Sequence, residues 1–170
     1  MGPLGRGFSE RTPDEGGVLL VGGGMGVAPL VYRATRSTEQ DALLFGCASA
    51  DAMPVEFLRQ QVRIPFHVAT EDGGCGTPGL VTDLVETHGA ARGWTDTLLA
   101  AGPIPMLRAV ADLADRRAVP CEVSLEARMA CGTGGCQGCV VPVRSGETYV
   151  RVCREGPVLE AGRMDWEAMA

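Results

Sequence analysis

Several features that define large classes of protein are missing from this sequence of 170 residues. It contains no lysine, and its 15 arginines are outnumbered by 21 acidic residues, so the net charge is −6. A basic patch for nucleic acid is therefore not expected. No stretch approaches the roughly 20 uninterrupted apolar residues that span a bilayer. The N-terminus also lacks the charged, apolar and small-residue order of a signal peptide. These absences predict a cytoplasmic protein.

Catalytic arrangements of the common hydrolytic kinds are missing as well. The sequence shows no Ser/His/Asp arrangement and no paired-carboxylate site. Its two histidines, His67 and His88, are isolated in the sequence, which favours structural roles for them. Seven cysteines and 24 glycines are what remains unusual. Because disulfides are uncommon in a reducing compartment, the cysteines are interpreted as thiols or metal ligands.

Short apolar runs alternate with helical segments over most of the chain. The runs have the length and continuous apolarity of buried strands, and they cover residues 18–21, 42–45, 66–70, 97–101 and 121–125. The helical segments cover residues 27–33, 54–62, 80–86 and 104–117. This order predicts an α/β fold with a parallel sheet that is covered on both faces.

Three parts of the chain differ in composition. Residues 1–16 are rich in glycine and proline and are interpreted as a linker. Residues 17–125 hold the alternating strands and helices of the predicted nucleotide-binding domain. Residues 126–170 hold four of the seven cysteines and are predicted to form a separate small module.

A glycine-rich loop follows the first predicted strand. It contains Gly23, Gly24 and Gly26, with Pro29 in the first turn of the next helix. Glycines allow a tight turn close to a pyrophosphate, and the helix N-terminus presents free N–H groups and the positive end of its dipole. The pattern departs from GxGxxG at the proline. It indicates a dinucleotide site, with a glycine-rich turn that binds nothing as the alternative.

Ligands of parallel α/β sheets bind beyond the carboxyl ends of the strands. In this chain those ends are residues 22–26, 46–49, 70–76 and 102–106, all of which contain glycine. Thr70, Asp72, Gly102 and Pro103 are therefore candidate cofactor contacts. Residues 46–55 contain no arginine or lysine to pair with a 2′-phosphate, which favours NAD over NADP.

The remaining three cysteines lie among these strands and loops. Cys47 and Cys121 lie in or beside apolar strands and are expected in the core. Cys75 lies in the loop of residues 73–79 and is a candidate for facing the predicted cleft.

The C-terminal module has cysteines at metal-ligand spacing. Cys131, Cys136 and Cys139 form C-x4-C-x2-C, and Cys153 follows after thirteen residues, which is the plant-type 2Fe–2S spacing. Apolar segments on either side of residues 145–147 predict a β-hairpin that returns Cys153 to Cys139. Zinc and disulfides are the alternatives, but four-cysteine zinc sites usually contain two C-x2-C pairs.

A nucleotide site and a 2Fe–2S site differ in electron count. NADH gives up two electrons as a hydride, whereas the cluster accepts one electron at a time. A flavin is the usual converter between the two, and the sequence shows no second nucleotide motif. The sequence therefore predicts a flavin domain that precedes residue 1 or lies on another chain.

Several segments resemble the electron-transfer subunit of type B dihydroorotate dehydrogenases, within the ferredoxin reductase-like superfamily. They are residues 22–30, 70–73, 79–83, 126–141 and 151–158, and residues 2–8 look like the end of that family's FAD-binding barrel. The resemblance implies that Cys131, Cys136, Cys139 and Cys153 ligate a 2Fe–2S cluster. It also implies that the loop from Gly23 to Pro29 binds the pyrophosphate of NAD(H).

The resemblance implies an electron path as well. Electrons would pass from NADH through FAD and the cluster to FMN in a catalytic partner subunit, which oxidises dihydroorotate to orotate in pyrimidine biosynthesis. The implied assembly is a heterotetramer. Without a counterpart of the FAD barrel, the chain is not expected to act alone. Reductases of the superfamily often have cysteine where this sequence has Ala101, which puts nicotinamide placement in question.

Two other functions are compatible with the same motifs. One is a subunit of another flavin iron–sulfur reductase, of the sulfide dehydrogenase or ferredoxin:NADP reductase type. The other is a truncated cluster-binding protein without turnover of its own.

Overall fold

The computed structural model describes residue 2 and residues 4–10, 16–144 and 148–169. Its strands are β1 (Val18–Gly23), β2 (Ala42–Cys47), β3 (Phe66–Thr70), β4 (Thr77–Pro78), β5 (Thr97–Ala101), β6 (Cys121–Ser124), β7 (Val140–Pro142), β8 (Tyr149–Arg151) and β9 (Val158–Glu160). Its helices are α1 (Val27–Ala34), α2 (Val55–Gln61), α3 (Val81–Ala91) and α4 (Ile104–Arg117). The five predicted strands and four predicted helices are all present.

Seven of the strands form one sheet in the order β4-β3-β2-β1-β5-β6-β9. The first six in that order run parallel to one another. At the centre, Leu20 of β1 is in register with Leu43 of β2 and with Leu99 of β5. Every residue of β1 and β5 is buried. This explains why these strands are continuously apolar, because parallel strands are covered on both faces.

Helices cover both faces of the sheet. Leu19 and Val21 of β1 point toward the side of α3 and α4, where they join the core that contains Val85 and Leu107. Val18 and Leu20 point the opposite way and pack with residues of α1 and α2. The alternation follows from the two-residue period of a strand. The predicted parallel α/β architecture is confirmed.

The C-terminal segment contributes to the same sheet. β9 pairs antiparallel with β6, with Leu159 opposite Val123, so it forms one edge. β7 and β8 pair separately as a two-stranded hairpin, as predicted, with Val141 opposite Val150. The predicted turn at residues 145–147 lies outside the described residues. The buried valines of the hairpin join the core beneath α3 and α4, together with Trp166.

Part of the predicted N-terminal linker lies against this C-terminal segment. The backbone N–H of Arg6 donates to the Gly156 carbonyl at 2.5 Å, and the N–H of Val158 donates to the Arg6 carbonyl at 3.2 Å. The N–H of Ser9 donates to the Glu122 carboxylate at 2.9 Å. These bonds tie residues 6–9 to both β6 and the start of β9. No helix in the described part of the chain is long and apolar enough to cross a membrane.

Candidate functional site

A cavity of about 630 Å³ opens at the carboxyl ends of the parallel strands. It lies between the loop after β1, the ends of β2 and β3, and the first residues of α3 and α4. Its lining consists of Gly23, Gly24, Met25, Gly46, Cys47, Ala48, Ala52, Met53, Glu71, Gly79, Leu80, Val81, Thr82, Pro103, Pro105, Met106 and Ala109. This is the position at which parallel α/β sheets bind their ligands, and the volume is typical of a cofactor site.

Three helices begin at this cleft. α1 is entered through a 3₁₀ turn over Gly24–Gly26, α3 begins after Leu80, and α4 begins after Pro103. The first N–H groups of a helix have no partner within it, and the helix dipole places positive potential there. At α3, the Leu80 N–H is already taken, because it donates to Asp83 Oδ2 at 2.8 Å. The convergence of the helix starts suits an anionic ligand such as a pyrophosphate.

The glycines of the first loop serve different purposes. At Gly26 an added Cβ would lie 2.4 Å from the Ala101 carbonyl and 2.5 Å from the Gly102 nitrogen, so only glycine lets the loop pack on the end of β5. At Gly23 it would lie 2.4 Å from the sulfur of Met106. Gly24 has open space around it but a φ of +52°, which disfavours other residues.

The predicted nucleotide-site residues divide into two groups. Gly23, Gly24 and Pro103 line the cavity. Gly26 and Gly102 lie outside the lining, where each packs closely against its neighbours: Gly26 against the end of β5 and Gly102 against Gly23 and Met106. Both support the wall of the cleft from behind.

The other three predicted contacts also lie outside the lining. Pro29 is on the exposed side of α1. Thr70 is fully buried, and its hydroxyl donates to the Cys75 carbonyl at 2.8 Å while accepting from the Cys75 N–H at 3.1 Å. Asp72 is exposed and accepts from the Gly74 N–H at 2.9 Å. Thr70 and Asp72 thus brace the loop after β3, and their contact with a cofactor stays a prediction.

Sequence reasoning missed most of the apolar lining. Met25, Met53, Leu80 and Met106 form much of it, yet apolar residues near helix starts look like core positions in a sequence. Their position beyond the strand ends was the available signal. Within the described residues, the lining contains one charged side chain, Glu71, and no arginine.

Of the three predictions for the isolated cysteines, the one for Cys75 needs correction. Cys47 is half-buried and packs against the core beside α1 and α2, and it also lines the cavity, because it ends β2 where the sheet opens. Burial raises the pKa of its thiol, and the nearby Cys75 and Asp72 add to this. Cys75, predicted to face the cleft, is half-buried beside the lining. Burial raises the pKa of Cys121 to about 12, as expected for a thiol beside the core.

The four C-terminal cysteines form two contacting pairs. In the exposed outer pair, the sulfur of Cys131 accepts from the Cys136 N–H at 3.5 Å and from the Thr133 N–H at 3.4 Å. In the buried inner pair, the sulfur of Cys139 accepts from the Cys153 N–H at 3.5 Å. The end of β8 therefore brings Cys153 beside Cys139, where the sequence places it.

Backbone donors favour thiolate at Cys131 and Cys139. The N–H groups of Cys136 and Thr133 lower the pKa of Cys131 to about 5. The N–H of Cys153 lowers the pKa of Cys139, whereas the Cys153 thiol donates to Cys139 and its own pKa is raised. Since thiolate is the form that binds iron, the loop supplies an environment suited to anionic sulfur.

The arrangement of the thiols fits a two-iron cluster. In the described ranges, no three His, Cys, Asp or Glu side chains converge as they would around a single metal ion. The side chains of Cys131 and Cys136 contact each other, as do those of Cys139 and Cys153, and this pairing is compatible with two irons that each take two cysteine ligands. Gly132 and Gly134 have φ of +66° and +85°, conformations that let the loop turn its N–H groups toward sulfur. The donor set and its pairing therefore suit 2Fe–2S.

Comparison with known proteins identifies related families. Residues 126–165 match the family described as the iron-sulfur cluster binding domain of dihydroorotate dehydrogenase B. Proteins named dihydroorotate dehydrogenase B (NAD(+)), electron transfer subunit, are similar over 96% of this chain and 63% of their own length. Those of Geobacillus kaustophilus (strain HTA426) and Shouchella clausii (strain KSM-K16) are both 41% identical, over 168 and 172 residues. The chain thus spans about 63% of the length of these relatives.

Two solved structures are similar in fold. A structure of an NADH-dependent reduced ferredoxin-NADP oxidoreductase, determined in work on flavin-based electron bifurcation, matches with a TM-score of 0.80 and 31% identity. The match covers 99% of this chain and 60% of that chain. The ferredoxin reductase of carbazole 1,9a-dioxygenase matches with a TM-score of 0.52 and 19% identity, over 65% of this chain and 36% of that one.

Proposed function

Because the chain is homologous over almost its whole length to the electron transfer subunits of dihydroorotate dehydrogenase B, we propose that it passes electrons between NAD(H) and a 2Fe–2S cluster. The observation that carries this proposal is the coexistence of two sites. One is a cleft at the start of three helices, and the other is a set of four thiols paired two and two.

The cleft supplies the binding groups for the nucleotide. Gly23 and Gly24 would allow the backbone to approach the pyrophosphate, whose charge the start of α1 would stabilise. The apolar walls provided by Met25 and Met106 would exclude water from a bound cofactor. Glu71 would accept hydrogen bonds from ribose hydroxyls and would repel a 2′-phosphate, which favours NAD over NADP.

Cys131, Cys136, Cys139 and Cys153 are the proposed cluster ligands. The cluster, when bound, supplies one-electron redox chemistry. The chain's own contribution is to hold the sulfurs in two pairs and to direct backbone N–H groups at Cys131 and Cys139. The outer pair is exposed, so we propose that this side exchanges electrons with the acceptor.

We further propose FAD as the group that links hydride chemistry to single-electron transfer. It would be held mainly by a flavin domain outside the described residues. The placement of the nicotinamide beside FAD would depend on the end of β5. Ala101 is buried there and offers no thiol. The proposed setting is the cytoplasm, whose reducing conditions keep the thiolate ligands available.

The proposed acceptor is an FMN-containing catalytic subunit that oxidises dihydroorotate, in a heterotetramer. A second candidate is exchange with ferredoxin in a ferredoxin–NADP oxidoreductase, which is favoured by the TM-score of 0.80 with such a structure. Co-purification from the native source with a dihydroorotate-oxidising subunit would support the first. Reduction of ferredoxin without such a subunit would support the second.

The proposal is tested by anaerobic purification with analysis of iron, acid-labile sulfide, zinc and flavin. About two irons and two sulfides per chain are expected. After reconstitution with FAD and the partner subunit, NADH should bleach the visible absorbance of the cluster. Stoichiometric zinc without sulfide would refute the cluster assignment, and a reconstituted complex that never oxidises NADH would refute turnover.

A further inference from the structure

Arg151 lies where the hairpin meets the cysteine loop. Its Nη1 donates to the carbonyl of Gly134, which lies between Cys131 and Cys136, at 3.3 Å. Its Nε and its backbone N–H donate to Glu155 Oε2 at 3.0 and 2.8 Å, and its Nη2 donates to Glu155 Oε1. The guanidinium is thus fixed on one side by a carboxylate and presented to the loop on the other.

Gly134 is held from two sides. Its carbonyl accepts from Arg151 Nη1, and its Cα faces the side chain of Arg154. An added Cβ would lie 3.0 Å from Arg154 Cδ. Gly134 therefore connects the outer part of the loop to the two arginines that flank Cys153 in the sequence.

We propose that Arg151, held by Glu155, is a positioning residue that fixes the cysteine loop through the Gly134 carbonyl and so tunes and retains the cluster. The proposal rests on the proposed 2Fe–2S function. Hydrogen bonds to sulfur stabilise the additional negative charge of the reduced state and raise the reduction potential. A loop that loses its anchor at Gly134 would align the N–H groups of Thr133 and Cys136 less well with the Cys131 sulfur. Such a loop would also release iron more readily.

A simple charge effect makes a different prediction. If Arg151 acted only as a positive charge near the cluster, removing it would lower the reduction potential, and removing the negative charge of Glu155 would raise it. If the two act together as an anchor, both substitutions lower the potential, because both free the guanidinium from its fixed position. Whether Glu155→Gln raises or lowers the reduction potential therefore separates the charge effect from the anchor.

The test uses the full chain, purified anaerobically with its cluster, as wild type and as Arg151→Gln, Arg151→Lys and Glu155→Gln. The reduction potential is measured by redox titration followed by electron paramagnetic resonance. Cluster release to an iron chelator is followed by the loss of visible absorbance. Arg154→Gln is the matched control, because it removes a neighbouring positive charge and its 4.0 Å ion pair with Glu155, but keeps the stem through Cδ and breaks no bond to the loop.

Arg151→Gln and Glu155→Gln should each lower the reduction potential of the cluster. Each should also accelerate release of the cluster to the chelator by roughly tenfold or more, the range found when partners of metal ligands are removed. Arg151→Lys keeps the charge but not the planar fork, so release should accelerate while the potential changes less. Arg154→Gln should lower the potential slightly without changing release.

A raised potential in Glu155→Gln, or wild-type release rates in both it and Arg151→Gln, would overturn the positioning role alone. Wild-type chain that contains no iron and sulfide would overturn the proposed function, and the positioning role with it. Circular dichroism of each variant checks that the fold is intact, and the lysine variant retains the test if Arg151→Gln does not fold.

Discussion

Replacing Gly26 with alanine should destabilise the protein strongly, because the added methyl group has no room. Its carbon would lie 2.4 Å from the carbonyl of Ala101 and 2.5 Å from the nitrogen of Gly102. Overpacking of this kind costs about 1–3 kcal/mol, and we expect the upper end because the neighbours are backbone atoms of a central strand. For a chain of this size about 3 kcal/mol corresponds to a fall in Tm of roughly 6–12 °C.

Two control variants separate overlap from conformational strain. At Gly24 an added Cβ meets nothing within 4 Å but the φ is +52°, so Gly24→Ala should cost about 1 kcal/mol. At Gly162 there is open space and no positive φ, so Gly162→Ala should stay within about 0.5 kcal/mol of wild type. Thermal and urea unfolding followed by circular dichroism measures all three. A Gly26→Ala protein no less stable than Gly24→Ala would refute the reasoning.

Three further predictions concern the cysteines, the histidines and a buried carboxylate. Cys136→Ser should abolish the visible absorbance of the cluster, whereas Cys121→Ser should retain it; an unchanged spectrum in the first would mean that the ligands are misassigned. Burial lowers the pKa of His67 and of His88, whose rings lie 4.3 Å apart. The unfolded chain therefore binds protons first as the pH falls through about 6.5, and the free energy of unfolding should decrease below that pH. This decrease should be smaller in His88→Gln, and equal pH dependence would contradict the assignment. Asp41 is buried and accepts from two backbone N–H groups at 2.8 Å, so Asp41→Ala should cost about 1–3 kcal/mol in urea unfolding; a loss below about 0.5 kcal/mol would argue against it.

The central sheet was predictable because burial on both faces leaves a local pattern. β1 and β5 are continuously apolar, and each could be located from its own residues. β9 has only three residues, and its pairing with β6 depends on a contact about 36 residues away along the chain, which no local pattern encodes. The helix predicted to end at residue 86 continues to Ala91, and its Gly89 lies against the ring of Trp94, where an added Cβ would overlap the ring.

The two candidate sites could be predicted from the sequence to different extents. The four cysteines were identifiable as candidate ligands because three recur at close spacing on one short loop and the fourth follows a predicted hairpin. The cleft was located by the rule for strand ends, but its apolar lining was not, because Leu80 and Met106 have the composition of core residues. Thr70, predicted as a cofactor contact, uses its hydroxyl to hold Cys75, and its contact with a cofactor stays a prediction.

The core of the protein continues across the predicted boundary between residues 125 and 126. Val141 and Val150 of the hairpin share one buried cluster with Leu107 of α4, and β9 covers the edge of β6. Removing the C-terminal segment would expose the apolar surface beneath α4 and the backbone groups of β6, which favour aggregation when unpaired. The division into nucleotide and cysteine parts therefore follows chemical function, whereas folding stability is shared. Cys139 and Cys153 belong to the same buried cluster as Leu107, so the cysteine site is packed against the core that supports the cleft.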